Sequence, residues 1–278
     1  MWSDYHIHSV FCDGKSTHAD LVARGEAIGL RSMGFASHGP VPFPCNWCMP
    51  VDRLDEYVAG IRALDERSTV EVYAGLEIDF IPGKVGPADF RDKLDYTIGS
   101  IHFVDAFDGQ DWEADNTLAM FKEGLEKVFD NDIRKAVTRY FELMRLMMAT
   151  SRPDILAHMD RIKVHNQKEH FFDEEATWFR DAVSDTLEAA AHHGVMVEVN
   201  TRGLYKKRSI ETYPGPFGIR RLAELSIPVM LASDAHHTDD LTGLFGEVAG
   251  ALRAAGIKNL VRLEQGKWTE VALGSFLI

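Results

Sequence analysis

A chain of 278 residues, 45% hydrophobic and 26% charged, can build one large core and has neither a fibrous nor a disordered composition. With 30 basic against 43 acidic residues, the formal net charge of −13 would repel a nucleic-acid backbone, but it leaves a small phosphorylated substrate open. No apolar run approaches ~18 residues and no basic start precedes an apolar core, so neither a membrane span nor a secretory leader is expected. Cys12, Cys45 and Cys48 then read as reduced thiols of a cytoplasmic protein, with Cys45-Asn46-Trp47-Cys48 an incidental pair in a Pro-rich loop.

Strand-like and helix-like segments alternate along the chain. Ser3 to His8 reads as the first strand. Ser16 or Thr17 can cap a helix through Leu21, Val22 and Ile28 that ends near Gly29. Ser32 to Ser37 is a second strand, and the Pro-rich loop Gly39 to Pro50 leads to a helix carrying Leu54, Tyr57, Val58, Ile61 and Leu64 on one face. Strands follow at Val70 to Ile78 and Tyr96 to Ile101, then an acidic segment from Asp105 to Asp115. Helical patterns run from Leu118 to Phe129 and from Ile133 to Met148, with a strand at Ile155 to Ala157. A helix from Asp173 to His193 closes at Gly194, before a strand at Val195 to Val199. The helix Gly218 to Leu225, the strand Pro228 to Ala232, the helix Leu241 to Ala255 and a short tail complete the chain. Seven apolar strands joined by helices predict parallel βαβ units, closed as a distorted (β/α)7 barrel in a single domain over residues 1–278.

In such barrels the chemistry sits at the C-terminal ends of the strands. Here those ends carry His6 and His8, His38, Glu77, His102, His158, Asn200 with Arg202 beyond it, and Asp234 with His236. Asp13 adds a carboxylate from the first loop. His6 and His8 leave one face of a strand, and Asp234 and His236 do the same if the chain stays extended. Nine His, Asp and Glu ligands exceed what one ion takes and suit two or three divalent ions such as Zn, Mn or Fe. Glu77 and Asp234, as carboxylates, are the natural shared ligands, and such a centre suits two-metal phosphoryl chemistry.

These motifs resemble the PHP (polymerase and histidinol phosphatase) family: His6-Ile7-His8-Ser9 with Asp13-Gly14, Ser37-His38-Gly39, Gly75-Leu76-Glu77, Ser100-Ile101-His102, Ala157-His158-Met159-Asp160 and Ser233-Asp234-Ala235-His236. Pro42-Phe43-Pro44, Met49-Pro50, Glu198-Val199-Asn200-Thr201 and Glu211-Thr212-Tyr213-Pro214 look most like the HisJ/HisK-type branch that acts on L-histidinol phosphate. The resemblance implies three metals: one on His6, His8, Glu77 and Asp234, one on Glu77, His102 and His158, and one on Asp13, His38 and His236. It also implies that Arg161 and Arg202 contact the substrate phosphate, a role that the guanidinium fork suits.

The expectation is a metal-dependent phosphomonoesterase releasing L-histidinol and phosphate. Glu77, Asp234, Arg161 and Arg202 would carry the chemistry, with Asp234 or a water protonating the leaving group. Phe43 and Trp47 could wall an imidazole-sized pocket. Lys206, Lys207 and Arg208 form a basic patch suited to steering a phosphate inward or to a solvated loop. The alternatives are a phosphoesterase acting on another monoester or, as an exonuclease or phosphodiesterase, on nucleic acid, and a non-catalytic metal-binding barrel. Neither a nucleic-acid nor a membrane partner is expected, and no oligomeric state is implied. His18, His165, His170, His192, His193 and His237 read as structural or solvated histidines.

Overall fold

The alternation along each strand becomes two layers of packing. In the computed structural model, which describes residues 1–107 and 110–276, the first barrel strands are β1 (Ser3–Ile7), β2 (Ser32–Phe35), β3 (Glu71–Asp79) and β4 (Tyr96–Ser100). A side hairpin, β5 (Phe103–Phe107) with β6 (Gln110–Glu113), follows; β7 (Ile155–Leu156), β8 (Met196–Asn200) and β9 (Val229–Ala232) resume the barrel. The seven pair in parallel in the order β1-β2-β3-β4-β7-β8-β9. A bridge between Ile7 and Ala235 draws the ends together: His8 N–H donates to Ala235 O at 2.8 Å and Ala235 N–H to His6 O at 3.1 Å. The result is the expected seven-stranded barrel, nearly closed.

Around it lie α1 (His18–Ala27), α2 (Leu54–Asp65), α3 (Leu118–Phe129), α4 (Ile133–Ser151), the single turn α5 (Asn166–Glu169), α6 (Thr177–His193), the single turn α7 (Arg202–Tyr205), α8 (Pro216–Glu224) and α9 (Phe245–Ala254). Thr17 closes a capping box with Asp20, as the sequence leads one to expect. Gly194 ends α6 in the left-handed region at φ 63°. Among the described residues no helix is long and apolar enough to cross a membrane.

On β3, Val72, Ala74, Leu76 and Ile78 pack outward against α1 and α2, while Tyr73 joins Tyr5, Tyr96, Ile98, Ile155, Met196 and Met230 inside the barrel. That inner apolar layer is the floor on which the polar residues of the same strands stand.

Two segments differ from expectation. The acidic stretch from Asp105 to Asp115, for which the sequence predicts no element, contributes to the β5–β6 hairpin, with Asp108 and Gly109 outside the described residues. The expected tail is a second hairpin, β10 (Asn259–Glu264) with β11 (Lys267–Ala272), and only its last two residues, 277–278, lie outside the described range. It plugs the barrel floor: Trp268 packs edge-on against Tyr5 and Tyr96, and Leu263 N–H donates to Tyr5 Oη at 2.8 Å.

Candidate metal centre

Because β3 alternates, Glu77 and Asp79 point the same way as Tyr73, into the mouth of the barrel. Glu77 is the hub. Its Oε2 lies 3.2 Å from His6 Nε2, 3.5 Å from His8 Nε2 and 3.0 Å from His38 Nδ1. Its Oε1 lies 2.8 Å from His158 Nε2 and 3.5 Å from His102 Nε2. Five histidines from four strand ends thus meet one carboxylate that is 1% exposed.

A second focus joins it through His8. Asp234 Oδ1 lies 3.4 Å from His8 Nε2 and 3.4 Å from His236 Nδ1, and Asp13 Oδ2 lies 3.2 Å from His236 Nε2. Asp234 has a φ of 52°, so the chain turns here instead of running extended, and His236 reaches the site through that turn. The nine expected ligands all converge. Their donor atoms fall into four groups: His8 with Asp13, His38 and His236; His6 with His8 and Glu77; His6 with His158 and Asp234; and His38 with Glu77 and His102.

The donors fit divalent cations. His6 Nε2, His8 Nε2, His38 Nδ1, His158 Nδ1 and Asp13 Oδ1 are buried without a hydrogen-bond partner, which a native interior rarely leaves unmet. Burial, reinforced by His236, His38 and His6, pushes His8 well below the ordinary imidazole range and keeps it neutral, the form that coordinates a metal. Burial alone would raise the pKa of Glu77, but His6, His38 and His102 hold it well below the usual carboxylate range. Asp234 is likewise held low against burial by Arg202, His6 and His236. At His6, burial disfavours the proton, yet Glu198, Glu77 and Asp234 more than offset it. The same carboxylates would attract a cation.

The supporting shell includes Asp79, not named from the sequence, and Glu198, named there only within a family motif and without a site role. Asp79 accepts from His102 Nδ1 at 3.0 Å and from its backbone N–H at 2.8 Å. Glu198 lies 2.7 Å from His6 Nδ1 and accepts from the His158 N–H at 2.9 Å and from Asn200 Nδ2 at 2.9 Å. Such carboxylates fix which imidazole nitrogen faces a metal. Asp79 stands two residues after Glu77 and Glu198 two before Asn200, so strand alternation was the available signal for both.

The cavity over this cluster has a volume of about 180 Å³, and its lining includes Trp47, Glu113, Asp115, Arg161, Arg202 and Arg208. Arg161 pairs through Nε with Asp115, and its Nη1 lies 3.4 Å from Asp234 Oδ2. Arg202 Nη1 donates to Asp234 O at 2.5 Å and lies 2.7 Å from His236 Nδ1. Arg161 and Arg202 therefore face the cluster. Trp47 packs edge-on against His38 with centroids 4.5 Å apart, whereas Phe43 is reached indirectly, edge-on to Phe103, on which Trp47 stacks. Cys45 and Cys48 are joined in a disulfide, so only Cys12 keeps the expected free thiol: the loop turns tightly enough to bring the two Cα atoms to 5.5 Å. A larger cleft of about 560 Å³ lies at the other end of the barrel, at the N-terminal side of β9, away from the histidines.

The sequence model of the PHP domain matches residues 4–202. The chain is 28% identical over 264 residues to a Deinococcus radiodurans protein named "probable histidinol-phosphatase", covering 91% of this chain and 93% of that one. It is 24% identical over 272 residues to the histidinol-phosphatase of Bacillus subtilis, covering 86% and 94%. Among solved structures, HisK of Listeria monocytogenes superposes with a TM-score of 0.76 at 18% identity, over 87% of this chain and 98% of that one. HisK of Lactococcus lactis, solved with Zn, L-histidinol and phosphate, superposes with a TM-score of 0.70 at 17% identity, over 96% and 98%. With His6 and His8, the Glu77 hub and β8 all inside the matched span, the chain belongs to the PHP family.

Proposed function

We propose that the chain is a metal-dependent phosphomonoesterase that hydrolyses L-histidinol phosphate to L-histidinol and phosphate. The carrying observation is the Glu77 hub: five buried histidines on one carboxylate, with two arginines facing the same cavity. The names of the Deinococcus and Bacillus relatives and the ligands of the Lactococcus structure support the substrate.

Two or three divalent ions, Zn, Mn or Fe, would be held by His6, His8, Asp13, His38, Glu77, His102, His158, Asp234 and His236. When bound they supply Lewis acidity, neutralising charge on the phosphoryl oxygens and making water a nucleophile near neutral pH. Arg161 and Arg202 bind and orient the phosphate; Asp115 and the Asp234 backbone carbonyl fix their guanidinium planes beforehand. Asp234 is held ionised against burial by Arg202, His6 and His236, which suits a metal-holding carboxylate better than the leaving-group donor expected from the sequence. Leaving-group protonation then falls to water. Trp47 and Phe43 offer an aromatic wall for the imidazole.

The test is phosphate release from L-histidinol phosphate, from a panel of other phosphomonoesters and from a short oligonucleotide, with added Mn or Zn. A kcat/KM for L-histidinol phosphate at least tenfold above the rest is expected. Preference for an unrelated monoester or for the oligonucleotide would overturn the substrate and leave the metal centre standing.

A further inference from the structure

The loop from Gly39 to Pro50 carries the aromatic wall, yet almost nothing in its backbone holds it. Its ends are tied: Gly39 N–H donates to Glu77 O at 2.7 Å and Met49 N–H to His38 O at 3.0 Å. Between them, among the described residues, no backbone-to-backbone hydrogen bond involves residues 40–48. The interior tie is the Cys45–Cys48 disulfide, with the Cys48 N–H donating to Cys45 Sγ at 3.2 Å. Trp47 lies inside that clasp. Its ring packs against His38 at 4.5 Å and His102 at 5.5 Å, stacks on Phe103 at 5.5 Å with an 8° interplanar angle, and lines the site cavity.

A bridge spanning three residues closes too small a loop to remove much entropy from the unfolded chain, so its effect is local. An unclasped loop of this length must spend conformational entropy each time Trp47 is brought onto the site. We propose that the Cys45–Cys48 bond positions Trp47 as a wall of the substrate pocket, so that reducing the bond weakens substrate binding while leaving turnover in place. This rests on the phosphomonoesterase function proposed above.

Cys48 is 8% exposed and Cys45 is half-buried, so Cys45 Sγ is the more reachable sulfur. An external dithiol opens the bond in two exchanges. One thiolate attacks Cys45 Sγ and Cys48 leaves as a thiolate; the second thiol then displaces Cys45. The dithiol is oxidised to its disulfide, and the two cysteines take up the two electrons and two protons.

The experiment uses the full chain loaded with Mn, an ion that thiols bind weakly. Without reductant, the denatured chain takes up one alkyl label, at Cys12, and after dithiothreitol it takes up three. In the reduced protein and in C45A/C48A, KM for L-histidinol phosphate rises about five- to tenfold, the effect of one loosened aromatic contact, and kcat stays within about twofold. W47A reproduces the rise in KM, and adding it to C45A/C48A raises KM no further. The fluorescence difference between the chain and W47F becomes more accessible to acrylamide on reduction, a readout independent of activity. Three labels without reductant, an unchanged KM, additive effects of the two changes, or unchanged Trp47 quenching would each overturn the proposal. If another phosphomonoester is the substrate, the substrate assignment falls and the same kinetic series is read on that ester. If no ester is hydrolysed, the phosphatase function falls, while labelling and quenching still decide whether the bond positions Trp47.

Discussion

Glu77 is pulled two ways: burial favours its neutral acid, and His6, His38, His102 and His158 favour its carboxylate. The histidines win, so the residue enters the site as an anion with nowhere to place its charge except on cations. The residues behind it matter for the same reason. Asp79 fixes His102 and Glu198 fixes His6, each with a bond of 3.0 Å or less. Changing Asp79 to Asn or Glu198 to Gln should lower metal affinity about 10- to 100-fold, read by calorimetric titration with Zn, with activity recovering at high metal. Unchanged affinity would remove them from the metal's support.

His18 shows the opposite case, a buried histidine on which burial and Arg53 outweigh the one acidic group that favours its proton, Glu56. It stacks on Phe11 at 4.9 Å and lies 3.0 Å from Ser9 Oγ. Burial, helped by Arg53, lowers its pKa from 6.5 to about 4. The native state therefore binds fewer protons than the unfolded chain between those values, and stability is fully present above pH 6.5 and lost as pH falls toward 4. At pH 5 this costs about 2 kcal/mol. Urea unfolding of the metal-free chain and of His18→Gln, at pH 7 and pH 5, should show the variant losing about 2 kcal/mol less than the parent over that interval. Equal losses would contradict it.

At the scale of elements, β3 keeps its alternation from end to end: an apolar outer row, and Tyr73, Gly75, Glu77 and Asp79 within. Gly75 has a steric reason. A Cβ there would overlap the Tyr96 ring, whose hydroxyl donates to Tyr5 O at 2.6 Å and Phe35 O at 3.0 Å and so ties β1 and β2 to β4. Gly75→Ala should destabilise the chain by about 1–3 kcal/mol, read as a lower Tm or urea midpoint; a neutral result would mean that Tyr96 can move without cost. The barrel strands and the larger helices were legible because apolar runs, caps and glycine stops are local signals. The C-terminal hairpin was less so. Its burial alternates weakly, and the Gln265-Gly266 turn, with both residues at positive φ, was the one strong cue.

At the scale of the molecule, the rim ligands were legible because a parallel barrel sends its strand ends to one mouth, and chemistry-bearing residues stood at those ends. Their partners were not. Glu198 meets His6 across 192 residues, and Arg202 reaches His236 only because the chain turns at Asp234. Such pairings depend on closure of the whole ring. The mouth sets Arg161, Arg202 and Arg208 against Asp13, Glu77, Glu113, Asp115 and Asp234, so attraction of a phosphate there depends on the cations those carboxylates would hold as well as on the arginines.

The central claim is that one carboxylate, Glu77, organises a polynuclear hydrolytic centre. It is tested most directly by measuring metal content and phosphate release from L-histidinol phosphate on the same samples of the parent chain and Glu77→Gln. The parent should hold two or three divalent ions per chain and turn over, and the variant should lose at least one ion and nearly all turnover, at least ~10³-fold. A Glu77→Gln protein with full metal content and parental turnover would contradict it.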